Sequence, residues 1–323
     1  RGGRCPVRRA RGSDRPHNFR DFGEMERTEK MIFVGDKPSG MTSQNAVSRM
    51  KRALGQKIKI GHTGTLDPMC TGVLPILTGN DTKLSDLLDG DKEYVASMKL
   101  GVLTDTQDIT GTVLEERAAD GICEADVRAA LASFCGDREQ LPPMYSSVKV
   151  GGKKLYELAR EGKTVERKTR KITVYETEFL GQIAESEYSF RISCSKGTYI
   201  RTIINDVGEA LGCGACMTSL RRTKANGFDI SDAVPLETAE SYAREGRILS
   251  ICRESEECFE HLGYCTVPDN GKKFYLNGGT VGVNRLPRIS GNTPMMRAYS
   301  EDDTFLGLCR IENGGVKAVW SRI

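Results

Sequence analysis

The sequence predicts an α+β fold, a mixed and mostly antiparallel sheet with helices, followed by a small C-terminal all-β unit. Three observations predict it. Strand-like and helix-like segments interleave up to about residue 250 without the regular strand–helix–strand rhythm of a parallel sheet. Residues 94–102 alternate cleanly, with Tyr94, Ala96, Met98 and Leu100 on one face and Val95, Ser97 and Lys99 on the other. From about residue 255 the texture changes to short strands, glycines and turns (Gly278-Gly279, Gly291-Asn292, Asn313-Gly314-Gly315), with no convincing helix.

The elements follow in order. Residues 31–37 read as a strand stopped by Pro38-Ser39-Gly40. Thr42 or Ser43 can cap a helix over 43–54 that places Val47, Met50 and Leu54 on one face. Residues 55–72 are rich in Gly, Lys and Thr and read as a loop. Residues 73–77 form a buried strand and 82–88 a short helix. The alternating strand at 94–102 is followed by a polar turn and an extended 112–115. Residues 124–134 are helical. Pro142-Pro143 forbids helix over 141–152, and helix resumes at 153–161. Residues 171–180 and 187–194 look like paired strands, and 198–211 is an amphipathic helix. The basic cluster 220–224 is placed after a strand. The expected organisation is an extension over 1–30 that is disordered or artefactual, a main unit over 31–250 and a C-terminal β unit over 255–323.

Composition limits the function classes. The 323 residues carry 47 Lys and Arg against 44 Asp and Glu, a net charge of +3. Residues 1–30 hold nine of those cations and five of the anions, so the remainder is close to neutral, with 38 against 39. A polyanion partner would therefore have to be met by local charge patterning. No apolar run is long enough to span a bilayer, and residues 1–30 lack the apolar core of a secretory signal. Eleven scattered Cys in a long chain suit reduced thiols and a cytoplasmic location. Cys213 and Cys216 have the spacing of half a zinc or redox site, but no second half is visible, so no metal is expected. The phosphate-cradling glycine motifs, paired metal-binding His and the G-x-S-x-G elbow are all missing.

Three segments hold the candidate chemistry. In Gly61-His62-Thr63-Gly64-Thr65-Leu66-Asp67-Pro68-Met69-Cys70-Thr71-Gly72, one acid sits among glycines and threonines. A lone Asp in such a turn commonly closes it through its own backbone. Here His62 and the nearby cations Lys51, Arg52, Lys57 and Lys59 favour a nucleic-acid-facing site. In Cys194-Ser195-Lys196-Gly197-Thr198-Tyr199-Ile200-Arg201, Tyr199 offers a platform for a flat ring and Arg201 a partner for a carboxylate. In Leu220-Arg221-Arg222-Thr223-Lys224, the three cations could meet phosphates rather than form a merely solvated face.

Together these segments resemble the bacterial tRNA pseudouridine-55 synthases, the TruB family. Further matching stretches are Asp36–Ser43, Asp91-Lys92-Glu93-Tyr94, Thr104–Asp108 and Gln140–Lys149, all in family order. The resemblance covers the chain from about residue 31 onward. It implies the pseudouridine synthase fold with a PUA-like C-terminal unit. It implies isomerisation of uridine 55 in the TΨC loop of tRNA, without a cofactor. It makes Asp67, Arg201 and Tyr94 catalytic. Asp67 would be the reactive carboxylate, acting on the ribose C1′, on the base or in proton removal; Arg201 would pair with it. Tyr94 would stack on a flipped uracil, Tyr199 would be a further active-site tyrosine, Leu220 a pocket wall and His62 a support for the opened RNA loop. Asp108 looks like the acid of a substrate-access loop. Lys51, Lys59, Arg221, Arg222 and Lys224 are the expected RNA-backbone contacts. The expected partner is the tRNA TΨC stem-loop, met by a monomer with no guide RNA and no membrane. The competing readings are a non-catalytic tRNA-binding or tRNA-folding protein on the same scaffold and an RNA-guided pseudouridine synthase. Flipping a base out costs a few kcal/mol, and stacking on an aromatic returns about 1–3 kcal/mol.

Overall fold

The computed structural model describes residues 30–322 apart from 56, 89 and 292. The expected extension over 1–30 lies outside the described residues, apart from Lys30. The chain opens with β1 (Ile32–Lys37) and α1 (Ser43–Leu54). Thr42 caps α1 by accepting from the Asn45 N–H at 3.0 Å, and Ala46, Val47, Met50 and Leu54 give the helix its buried face. Next come β2 (Ile60–His62), β3 (Thr71–Thr78), β4 (Lys92–Leu100), β5 (Val102–Thr104), β6 (Val113–Glu116), α2 (Glu124–Ser133) and β7 (Gly136–Gln140). The hairpin β8 (Lys149–Val150) and β9 (Lys153–Lys154) leads to α3 (Leu155–Arg160). The long hairpin β10 (Arg170–Ala184) and β11 (Glu187–Cys194) is followed by α4 (Ile200–Ala210) and β12 (Ala215–Ala225). β13 (Phe228–Asp229), β14 (Val234–Pro235) and α5 (Leu236–Arg244) complete the first half.

These strands form one ten-stranded sheet whose main path runs β14-β1-β3-β12-β4-β11-β10-β7. Only β1–β14 and β3–β12 pair in parallel. The mostly antiparallel expectation is met, and the alternation read at 94–102 is the central strand β4, whose Tyr94, Ala96, Met98 and Leu100 are all buried. Helices α1, α2, α4 and α5 contribute Met50, Val127, Ile203, Ile204 and Ala239 to the same core as Phe33, Leu74, Ala96 and Phe190 on the sheet.

The second half holds β15 (Tyr264–Thr266), α6 (Asp269–Leu276), β16 (Val281–Gly282), β17 (Ile289–Ser290), β18 (Met295–Tyr299), β19 (Phe305–Glu312) and β20 (Gly315–Ser321). Its six strands run β16-β20-β19-β18-β15-β17 and curl around Cys265, Val267, Tyr275, Met296, Leu306, Cys309 and Val316. Phe305, Leu308 and Trp320 pack with Ile32, Val34 and Leu84, joining this sheet to the back of the first.

Three local expectations are corrected. The basic cluster 220–224 lies inside β12 rather than after a strand, because β12 is zipped along β4 from Ala215 to Ala225. The helix expected at 82–88 is a 3₁₀ turn, Gly79–Leu84. The C-terminal half contains one helix, α6, that the pattern does not reveal. It is eight residues long, includes Asn270 and Gly271, and buries only Gly271 and Tyr275, too few apolar positions to display a period. No helix among the described residues is long and apolar enough to cross a membrane.

Candidate active site

The loop between β2 and β3 carries Asp67, and buried groups hold its backbone from several sides. Lys37, wholly buried at the end of β1, donates to the carbonyls of Pro38 and Met41 at 2.8 Å and of Pro68 at 3.3 Å. Burial pushes its ammonium down to about 8. Arg222 on β12, also wholly buried, donates to the Gly64 carbonyl from Nη2 and to the Val73 carbonyl from Nε, both at 2.8 Å. The parallel pairing of β3 with β12 brings Gly72 against Arg222. A Cβ at Gly72 would sit 2.2 Å from the Arg222 carbonyl oxygen, and φ is +104°, so only glycine fits there.

Opposite this loop, the first turn of α4 supplies Arg201, whose side chain is 4% exposed. Its Nη1 donates to the Thr106 carbonyl at 2.8 Å, and its Nη2 to the Tyr145 carbonyl at 2.8 Å. It also forms ion pairs, from Nη2 to Asp67 Oδ2 at 3.0 Å and from Nη1, which donates a hydrogen bond, to Asp108 Oδ2 at 3.4 Å. Asp108 is buried and accepts from Thr106 Oγ1 at 3.0 Å and from the Thr110 N–H at 3.0 Å. The guanidinium therefore joins the loops that carry Asp67, Thr106 with Asp108, and Tyr145, all distant from Arg201 in sequence.

Asp67 is a crevice carboxylate. Its side chain keeps 37% exposure at the opening, although protein atoms crowd it on the other sides. That crowding raises its pKa above the ordinary carboxylate value, and the Arg201 charge opposes the rise. The thiol of Cys70, three residues on, is pushed up to about 12 by burial and the Asp67 charge. A partly desolvated carboxylate held against a fixed cation, with one side open, can attack an electrophilic carbon or handle a proton.

The aromatic and apolar candidates line the same strands. Tyr94 on β4 stands opposite Arg222 on β12, and Leu220 stands opposite Ala96, two residues along the ladder. Tyr94 is 6% exposed and Leu220 8%. Burial pushes the Tyr94 hydroxyl up to about 12, with the Arg222 charge beside it opposing the rise. Tyr199 is half-buried at the start of α4, with the Arg170 guanidinium 5.8 Å from its ring centroid. His62 on β2 pairs with Ile76 on β3. Its Nδ1 is buried without a partner, and burial together with the Arg222 charge lowers its pKa.

The structure thus bonds Asp67 to Arg201 and Arg201 to Asp108. Through Arg222 it links the Asp67 loop to the strand opposite Tyr94. It also corrects one expected RNA contact. Arg222 has no exposed surface and cannot reach a phosphate backbone; its Nε and Nη2 are spent on carbonyls beneath the site. Arg221, on the opposite face of β12, is open and pairs with Asp36 at 2.7 Å, and Lys224 pairs with Glu93 at 3.4 Å. Lys51 and Lys59 are exposed. Cys213 and Cys216 are buried, and among the described residues no group of three His, Cys, Asp or Glu could hold a metal ion.

Two contributors were not singled out from the sequence. Lys37 had a faint signal, a cation ending an apolar strand at an inward position. Gln140 had none. Its side-chain amide bonds both the N–H and the C=O of Tyr199, a contact spanning 59 residues.

The family model for the N-terminal domain of TruB family pseudouridylate synthases matches residues 51–200, and that for the C-terminal domain of tRNA pseudouridylate synthase B matches residues 201–249. The tRNA pseudouridine synthase B of Chromohalobacter salexigens is 42% identical over 289 residues, spanning 88% of this chain and 91% of that protein. Its counterpart in Ralstonia pickettii is 48% identical over 220 residues, spanning 67% of this chain and 69% of that one. Among solved structures, a Cbf5-Nop10-Gar1 complex gives a TM-score of 0.70 at 24% identity, covering 93% of this chain and 85% of that one. An H/ACA RNP bound to a substrate RNA containing 2′-deoxyuridine gives 0.69 at 23% identity, covering 93% and 87%. The two structures share the fold, and the sequence relatives share far more; the chain belongs to the TruB family of pseudouridylate synthases.

Proposed function

We propose that this chain isomerises a uridine of tRNA, uridine 55 in the TΨC loop, to pseudouridine. The observation that carries the reading is the partly exposed Asp67 carboxylate, 3.0 Å from the buried Arg201 guanidinium. The reaction breaks the N1–C1′ bond, turns the base, forms the C5–C1′ bond and moves the C5 proton to N1, so atoms and electrons balance without a co-reactant. In this reading Asp67 is the nucleophile and Arg201 holds its carboxylate in one orientation. Tyr94 and Tyr199 present ring faces to the flipped uracil, Leu220 closes one wall, and His62 supports the loop left behind. A crevice that excludes water keeps the detached base in place and protects the sugar from hydrolysis.

Lys51, Lys59, Arg221 and Lys224 meet the RNA backbone. Binding then weakens steeply with salt even though the whole chain is near neutral. We assign catalysis to the sheet before about residue 250 and RNA contact to the PUA-like unit after about 255. We expect the chain to act in the cytoplasm as a monomer.

The test is conversion of an unmodified tRNA transcript by the purified chain alone. Pseudouridine at position 55, lost in Asp67→Asn while tRNA binding persists, supports the reading. Activity only with an added guide RNA would instead place the chain with the RNA-guided enzymes. Undiminished conversion by Asp67→Asn would remove Asp67 as nucleophile, and no conversion by the wild type would leave a tRNA-binding role.

A further inference from the structure

Both members of the Asp67–Arg201 pair hang from backbone that a buried side chain on another element grips at two points. Ser43, the first residue of α1, is 1% exposed. Its hydroxyl accepts from the Leu66 N–H at 2.8 Å and donates to the Leu66 C=O at 3.2 Å. Leu66 immediately precedes Asp67. Gln140, the last residue of β7, is 3% exposed. Its Oε1 accepts from the Tyr199 N–H at 2.8 Å, and its Nε2 donates to the Tyr199 C=O at 3.0 Å. Tyr199 lies two residues before Arg201.

A single hydrogen bond leaves a residue's backbone free to swivel, whereas bonds to both its N–H and its C=O hold the peptide units on either side of it together. The N-cap position of α4 makes the second clamp more telling. That position ordinarily carries Ser, Thr, Asp or Asn, whose side chain satisfies the helix start. Here it carries Tyr199, whose side chain makes no cap. The tyrosine ring is left for another use, and the backbone is held from a different strand. The strap after Gln140 returns to the same place, since the Tyr145 carbonyl accepts from Arg201 at 2.8 Å.

We propose that Ser43 and Gln140 are positioning residues. They act through Leu66 and Tyr199 to fix the separation and angle of the Asp67 carboxylate and the Arg201 guanidinium. The inference rests on the reading of Asp67 as the reactive group.

The test uses the full chain as Ser43→Ala, Gln140→Leu and Gln140→Glu. The measurements are kcat and KM on an unmodified tRNA transcript, tRNA affinity, and hydrogen exchange at the Leu66 and Tyr199 amides. Misplacing a reacting group by about 1 Å can cost about 100-fold in rate. Ser43→Ala and Gln140→Leu should therefore lose about 10- to 100-fold in kcat, with tRNA affinity unchanged within about twofold, in keeping with a pure placement effect. The Leu66 and Tyr199 amides, respectively, should exchange faster. Gln140→Glu has the same shape, keeps the acceptor for the Tyr199 N–H and loses the donor to its C=O. It should retain Tyr199 protection and lose less activity than the leucine variant. The proposal is overturned if exchange at both amides is unchanged, if kcat holds within about threefold while protection is lost, or if the whole loss lies in tRNA affinity. A wild-type chain that makes no pseudouridine would sink the functional reading instead, and the exchange data would still decide whether the clamps exist.

Discussion

Arg201→Met keeps roughly the volume of the side chain and removes its charge and donors. Four partners are stranded: the carbonyls of Thr106 and Tyr145, each 2.8 Å away, and the carboxylates of Asp67 and Asp108. Breaking a buried ion pair by removing one partner costs about 3–5 kcal/mol. Asp67 contributes little to that sum, because its side chain is 37% exposed and water can replace part of the guanidinium. Asp108, with its side chain 7% exposed, has no such recourse, so the lower end of the range applies, about 3 kcal/mol. At about 2–4 °C per kcal/mol for a domain of this size class, Tm falls by about 6–12 °C at pH 7. The smaller share of the loss that belongs to Asp67 should depend on pH with a definite sign. Asp67 already has a folded-state pKa above its unfolded value, and Arg201 is the largest influence opposing that rise. A raised carboxyl contributes stability that is fully present below the unfolded pKa and is lost as pH rises through the folded pKa. Removing Arg201 raises that pKa further. The gap between wild type and variant therefore narrows as pH falls from neutral toward the ordinary carboxylate range. Thermal melts followed by circular dichroism at several pH values measure this. A Tm change under about 2 °C at pH 7, or a gap that does not narrow on acidification, would refute the argument.

Asp67→Asn should abolish pseudouridine formation and raise Tm at neutral pH, because the amide is spared the burial that penalises the carboxylate; a fall in Tm would count against that account. Arg222→Met and Arg221→Met, neighbours in sequence, should part company. The first strands the Val73 and Gly64 carbonyls beneath the site and costs about 1–3 kcal/mol for each by denaturant titration. The second breaks an exposed pair with Asp36, costs under about 1 kcal/mol, and lowers the salt slope of tRNA binding by about one. Gly208→Ala should destabilise despite the helix propensity gained, since its Cβ would stand 2.2 Å from the Ala215 nitrogen; the expected loss is about 3 kcal/mol, and any gain in stability would contradict the packing of α4 on β12.

Much of the fold is legible in the sequence because its signals are local. The alternation at Tyr94–Leu100 marks the central strand, Thr42 marks the start of α1, and Pro142-Pro143 rules helix out of the strap beside the site. Where local signals fall short, the structure departs from expectation. α6 is too short and too sparsely buried to show a period. The stretch at 220–224 carries a cation run whose strand character comes from pairing with β4 and β3 on either side.

The candidate site divides along the same line. Sequence alone determined which residue types are present: one acid in a glycine-rich loop, a Tyr-x-Arg at a helix start, and three cations on one short stretch. It could not determine that Arg221 faces solvent while Arg222 lies beneath the active-site loop. That follows from strand parity and from the two carbonyls that hold the Nε and Nη2 of a guanidinium with no exposed surface. Nor could it determine that Gln140 holds Tyr199, or that one arginine bridges Asp67 and Asp108. Those bonds span 59 to 134 residues, and only the packing of the whole sheet brings their ends within 3.5 Å.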